Sequence, residues 1–226
     1  MRLGRGQGEQ PDLHDDPADE TVTSELGWAR VNVDTSRWIP LPLAFPDGHD
    51  RDSWAMTAAA AWSQQWGLPA ERPEVEGLAA MIRAIHQSAN VRVKCHQIWV
   101  YLPDQSTAPL PVFIAIWRQS GDRDRRLRLL TGADDKSSAR ESQVAEFTTE
   151  HLGTGLRVLR QRVRDKGQLL AFLGYAFRVE EHETDLQVFT TTSDLRALTV
   201  ASDDIERLVQ GITVYRNTDE RRVAEP

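Results

Sequence analysis

The chain has little of what usually announces a chemistry. Cys95 is its single cysteine, which excludes an internal disulfide and any metal site built from several cysteines. No stretch approaches the roughly 18 uninterrupted apolar residues of a membrane-spanning helix. The opening Met1-Arg2-Leu3-Gly4-Arg5-Gly6 has no apolar region of the kind a secretory signal needs. The expectation from these three absences is a cytoplasmic protein without membrane insertion. Lysine is also scarce, with Lys94, Lys136 and Lys166 set beside 24 arginines. Arginine recognises anions with a bidentate fork that lysine lacks. Here, however, the enrichment in Arg, Ala, Gly and Asp runs through the whole chain, as GC-rich codon usage produces, and marks no one site.

Catalytic and nucleotide-binding signatures are missing too. Gly4-Arg5-Gly6-Gln7-Gly8 has the glycines of a phosphate loop but neither the preceding strand nor the following helix that such a loop requires. There is no Gly-Lys-Ser/Thr and no Gly-x-Ser-x-Gly elbow. The six histidines (His14, His49, His86, His96, His151, His182) show no His-x-x-x-His spacing. Glu180-Glu181-His182-Glu183-Thr184-Asp185 gathers carboxylates and an imidazole, but it lies where a hairpin should turn and reads as a solvated polar turn. Cys95 and His96 are adjacent on a strand and point to opposite faces, so Cys95 reads as a structural residue. No cofactor and no metal are expected.

The net charge of −7 is concentrated in one place. Residues 1–25 carry −5 and residues 26–226 only −2. The first 25 residues contain few large apolar side chains and read as a disordered acidic tail; residues 217–226 read as a second tail. Between them, residues 26–216 are long enough for a single domain with one well-buried core.

Within that domain Trp28–Val33 alternates as a short strand, and Arg37–Leu43, with Pro40 and Pro42, fits an edge strand or an extended crossing. Residues 52–66 and 74–90 have helical spacing, closed by Gly67 and opened by Pro73 respectively. Strands are expected at 91–102 and 110–118, then a polar excursion over 119–142 that is partly helical or disordered. Further strands follow at 143–151, 155–164, 168–179 and 185–192, and a final helix over 194–211. Residues 168–179 are apolar on both faces until Arg178, and 111–117 are apolar throughout, so both strands need cover above and below. The strand-to-strand links are too short for parallel crossovers. The inferred fold is α+β: a mainly antiparallel sheet covered by helices on both faces, a three-layer α/β/α sandwich.

Arg37-Trp38-Ile39-Pro40-Leu41-Pro42, two helices, a strand region at Pro109-Leu110-Pro111, and Asp185-Leu186-Gln187-Val188-Phe189 running to Asp194 before a last helix resemble a loose family of uncharacterised actinobacterial proteins. That family is similar in architecture to the Mog1/PsbP-like α/β/α sandwich. The resemblance covers residues 28–216 and includes no catalytic signature, so it carries over no functional residue. Members of the Mog1/PsbP group mostly act as binding or assembly factors, which implies a non-catalytic role.

Two surface features bear on function. Arg123, Arg125, Arg126 and Arg128, beside Arg160, Arg162 and Arg164, have the makings of an anion patch. Interleaved Asp122, Asp124, Asp134 and Asp135 make it read as a salt-bridged face, and nucleic acid is an unlikely partner. Trp54, Trp62 and Trp66 fall within about 120° of one side of the first helix at 100° per residue. Tryptophan is enriched at interface hot spots, and these three are the candidate partner-binding residues. The leading functional expectation is a non-catalytic protein–protein interaction or assembly module. The alternatives are a hydrolase-like enzyme with a dispersed carboxylate or histidine site, or a small-ligand-binding domain.

Overall fold

The computed structural model describes residues 28–215, apart from residues 44, 46–49, 68–72, 93–94, 105 and 165–166. The acidic segment 1–25, the Gly4–Gly8 run and the tail 217–226 lie outside the described residues. The fold is α+β, with four α-helices among the described residues and a seven-stranded sheet in which every neighbouring pair is antiparallel.

In chain order the sheet is built from β2 (Trp38–Leu41), β3 (Gln97–Tyr101), β4 (Leu110–Arg118), β5 (Gln143–Thr149), β6 (Gly153–Val163), β7 (Leu169–Val179) and β8 (Thr184–Thr192). Their spatial order is β2-β3-β4-β8-β7-β6-β5. The strands that are apolar on both faces, β4 and β7, flank the central β8, so two neighbours pair each of them and side chains pack on both of their surfaces. A two-stranded ribbon of β1 (Trp28–Val31) and β9 (Ile212–Tyr215) stands apart from this sheet.

Two apolar clusters divide the core. The larger joins Val112, Ile114, Leu173, Tyr175 and Phe177 of the sheet to Leu198, Ala201, Ile205 and Leu208 of α4 (Leu195–Gln210), and to Ala29, Ile212 and Val214 of the ribbon. The smaller joins Ile98, Val100 and Phe113 to Ala55 and Ala59 of α1 (Arg51–Gln65) and to Val75, Leu78 and Ile82 of α2 (Pro73–Arg92). Adjacent residues on β4 thus belong to different clusters, as strand alternation requires. Small residues at four-residue intervals on α1 (Ala55, Ala59, Ser63) form its buried stripe, which lets its backbone approach its neighbours closely.

Each helix start is capped by an aspartate where its cap is described. The side chains of Asp50, Asp122 and Asp194 accept from the N–H groups of Ser53, Arg125 and Ala197. One expectation is narrowed and one changes. Residues 119–142 contain an ordered helix, α3 (Arg123–Thr131), anchored by the buried Leu127 and closed by Gly132 in the left-handed region. The strand expected from residue 91 starts only at Gln97, because α2 runs on to Arg92; extending an existing helix adds one hydrogen bond per residue and outweighs a short alternation at Val91-Arg92-Val93. Ile212 follows the last helix and opens β9. Gly211 ends α4, and its carbonyl accepts from the Asn32 N–H at 2.9 Å, which brings β1 alongside.

Candidate functional site

Trp54, Trp62 and Trp66 all lie on or at the end of α1, each partly buried and packed against the smaller cluster. Their place follows from the small-residue stripe: Ala55, Ala59 and Ser63 occupy the contact line, so the indoles lie beside it, neither enclosed nor free. Trp54 meets Phe45 with ring centroids 6.0 Å apart. The Trp62 indole N–H is shielded from solvent and has no hydrogen-bond partner among the described residues. A buried donor left without an acceptor carries a desolvation cost.

Three arginines of α3 are paired, Arg123 with Asp124, Arg126 with Asp185 and Arg128 with Asp134. Arg128 binds Asp134 at 2.6 Å, and Arg160 and Arg162 converge on Asp135. Arg160 also lies over the Phe172 ring at 4.3 Å, and burial lowers its guanidinium below the usual range. The arginines proposed from sequence as an anion patch are in large part a salt-bridged face.

Two polar networks went unnoticed in the sequence. The first is Arg178 of β7 with Asp185 of β8, whose side chains are 3% and 0% exposed. Nε donates to Oδ1 at 2.7 Å and Nη2 to Oδ2 at 3.1 Å, a bidentate pair across adjacent strands. Arg178 also donates to the Gly121 and Ser120 carbonyls at 2.9 and 2.8 Å, tying the loop ahead of α3 to the sheet. Arg126 adds a second cation 3.3 Å from Asp185. The interruption of an apolar strand by Arg178 was the visible sign, and Asp185 reads in the sequence both as the end of a polar turn and as the first residue of a strand over 185–192. That turn is a single 3-10 turn (Glu180–His182) followed by Glu183 at φ 49°, and Asp185 already belongs to the buried strand.

The second network centres on Asp204 of α4. It accepts from the Tyr101 hydroxyl at 2.6 Å, from Arg37 at 2.5 Å and from Arg207. Burial, together with the hydrogen bond to Asp204, pushes the Tyr101 hydroxyl up to about 12. This network ties the segment before β2 to α4 across β3, with Tyr101 and Asp204 buried and the two arginines reaching in from the surface.

Cys95 and His96 precede β3. His96 accepts the Ile116 N–H at 3.0 Å through Nδ1, which places its proton on Nε2, and burial holds it below the usual imidazole range. Burial pushes the Cys95 thiol up to about 11 from 9.0, leaving roughly one hundredth of the ordinary thiolate fraction at neutral pH. A thiol-exchange reagent should therefore label the folded protein at least tenfold more slowly than the urea-unfolded chain at pH 8; equal rates would show a reactive thiol. Among the described residues no cluster of three or more His, Cys, Asp or Glu side chains has metal-binding geometry. No helix among them is long and apolar enough to cross a membrane.

A cavity of about 280 Å³ lies between β6, β7 and α4, with Leu159, Leu173 and Leu198 on its apolar walls and Arg157 and Gln161 at its polar side. Arg157 is paired with Glu206 at 3.1 Å.

No protein family matches the chain, and no curated protein sequence does. Among solved structures the chain is similar to LpqN of Mycobacterium tuberculosis, described as involved in cell envelope biogenesis, with 11% identity and a TM-score of 0.46 over 89% of this chain and 87% of that one.

Proposed function

We propose that the protein is a non-catalytic binding module that docks another protein on the α1 face carrying Trp54, Trp62 and Trp66. The observation that carries this reading is their partial burial: three large aromatic side chains flank one stripe of small residues, each still offering surface. Tryptophans held rigidly by one edge are the side chains that dominate interface energetics. The internal pairing of Arg178, Asp185, Asp204 and Tyr101 supports the same reading, because these groups hold elements together and are not turned toward a cleft. In this reading residues 26–216 form one three-layer unit of Mog1/PsbP-like type. The α1–α2 pair and α3 lie on one face, and α4 with the ribbon lies on the other. The setting is cytoplasmic, in keeping with a lone cysteine.

The test is to isolate the partner with the full-length chain as bait and titrate it against Trp54→Ala and Trp66→Ala. Each substitution should weaken binding by about 30-fold or more, the effect of losing one hot-spot tryptophan. Unchanged affinity in both variants, with intact circular dichroism, would remove α1 as the docking face. Small-ligand binding is the second reading, supported by the cavity beside α4, whose leucines are joined by polar side chains from β6 and α4.

A further inference from the structure

The cavity beside α4 has one end whose polar groups the chain itself does not satisfy. Its floor is Leu173 of β7, and its sides are Leu159 of β6 with Leu195 and Leu198 of α4. Arg157 is the one charged side chain among the described residues that line it. Its Nε donates to Glu206 of α4 at 3.1 Å, while its Nη groups form no hydrogen bond of normal geometry among the described residues. Strand register places Tyr175 directly opposite Arg157, and Leu173 lies two residues away on the same strand. All three side chains therefore rise from the face of the sheet that floors the cavity. Tyr175 is fully buried, and its hydroxyl is shielded from solvent without a hydrogen bond of normal geometry. Burial pushes that hydroxyl up to about 12, so it stays a neutral donor; Arg157 draws it down and Glu206 raises it, as neighbouring charges do. A buried hydroxyl without an acceptor carries a desolvation cost, which an incoming oxygen atom would relieve.

We propose that this cavity takes a small, neutral and largely apolar molecule through one acceptor oxygen, such as a ketone or ester carbonyl, and that Glu206 makes the site reject carboxylates. The inference rests on the small-ligand reading of the cavity and names its ligand class. The apolar body lies on Leu159, Leu173 and Leu198. The carbonyl oxygen accepts from an Arg157 Nη and from the Tyr175 hydroxyl. A free guanidinium would favour a carboxylate, because its fork matches two oxygens. With Glu206 on Nε the pair is already neutral, and a second carboxylate on the same guanidinium would lie close to the first. The Arg157 and Glu206 side chains are only 22% and 34% exposed, so water screens that repulsion incompletely. A neutral carbonyl meets the same donors and gives up far less hydration on entry. The volume, about 280 Å³, lies at the lower limit of ligand pockets and suits one or two rings or a short chain.

The experiment compares two probes of equal size, 2-acetylnaphthalene and 2-naphthoate, on the full-length chain with isotope-labelled leucine methyls. 2-Acetylnaphthalene should shift the methyl resonances of Leu159, Leu173 and Leu198 and bind about tenfold more tightly than 2-naphthoate, or better. Tyr175→Phe should weaken 2-acetylnaphthalene about fivefold by removing one donor. Glu206→Gln should move the ratio of the two affinities about tenfold toward 2-naphthoate, a change of selectivity that a merely structural role would not produce. Thr199→Trp, at an exposed lining position, should exclude both probes with circular dichroism unchanged. Equal affinity for 2-naphthoate with the same methyl shifts overturns the proposed class while the small-ligand reading stands. So does a ratio indifferent to Glu206→Gln, or 2-acetylnaphthalene binding indifferent to Tyr175→Phe. If neither probe moves those methyls up to its solubility limit, the class and the small-ligand reading fall together.

Discussion

Arg178→Met should lower the unfolding free energy by about 3–5 kcal/mol, the usual effect of removing one partner from a buried ion pair. The side chain left behind, Asp185, has no solvent exposure and would keep only Arg126, 3.3 Å away, as a counter-charge. The same substitution removes two donors from the Ser120 and Gly121 carbonyls. Its effect should reach beyond the strand pair: backbone amides over 119–131 should exchange faster as the loop ahead of α3 loosens. Arg178→Met combined with Asp185→Leu should recover part of the loss, because no uncompensated charge remains buried. Urea unfolding of both variants measures this directly. A single variant within about 1 kcal/mol of the parent would mean that Asp185 finds water or Arg126 sufficient.

Gly155→Ala is expected to cost about 3 kcal/mol or more, at the upper end of what overpacking produces. Gly155 is buried in β6, opposite Phe147 of β5. A Cβ built there falls well inside contact with the Ala176 carbonyl oxygen and the Phe177 ring of β7. The oxygen is backbone in a paired strand, so relief requires β6 to move away from β7, and the ladder from Leu156↔Ala176 onward must distort. Phe177 cannot rotate freely either, since it is fully buried and contacts Phe147 edge-on at 6.4 Å. The thermal midpoint of Gly155→Ala reads the effect. Gly153→Ala serves as a strand-end comparison: its Cβ meets nothing within 4 Å, and any cost there comes from its positive φ of 72° alone. A Gly155→Ala midpoint equal to that of the parent would show that β6 and β7 yield at little cost.

Much of the element list was legible because it rests on local pattern. The apolar run at 168–179 became β7, the stripe of α4 stayed as expected up to its glycine stop, and the prolines around Leu41 marked an edge strand. What local pattern misassigned or left open shares one cause. Val91-Arg92-Val93 alternates like a strand over too few residues to compete with a helix already formed. The polarity of 119–142 left helix and disorder as open alternatives, since a nine-residue helix needs only Leu127 and Thr131 as buried anchors when arginines on its flanks reach neighbouring strands. Asp185 was expected at the start of a strand, but its pairing with Arg178 was not legible, because that neighbour is set by the strand register and not by the adjacent residues.

The sequence by itself determined that strands over 110–118 and 168–179 must be covered on both sides, that α1 carries its tryptophans toward one side, and that no local motif specifies a reaction. Periodicity, caps and composition act within a few residues, so these properties are written locally. Only the tertiary structure decided that Trp28–Val31 leaves the main sheet for β9, that Arg178 and Asp185 neutralise each other, and that Asp204 gathers Tyr101 and Arg37. It also decided that β5 ends the sheet among the described residues. Those outcomes depend on which distant strands become neighbours, and that choice is made by packing the whole core at once.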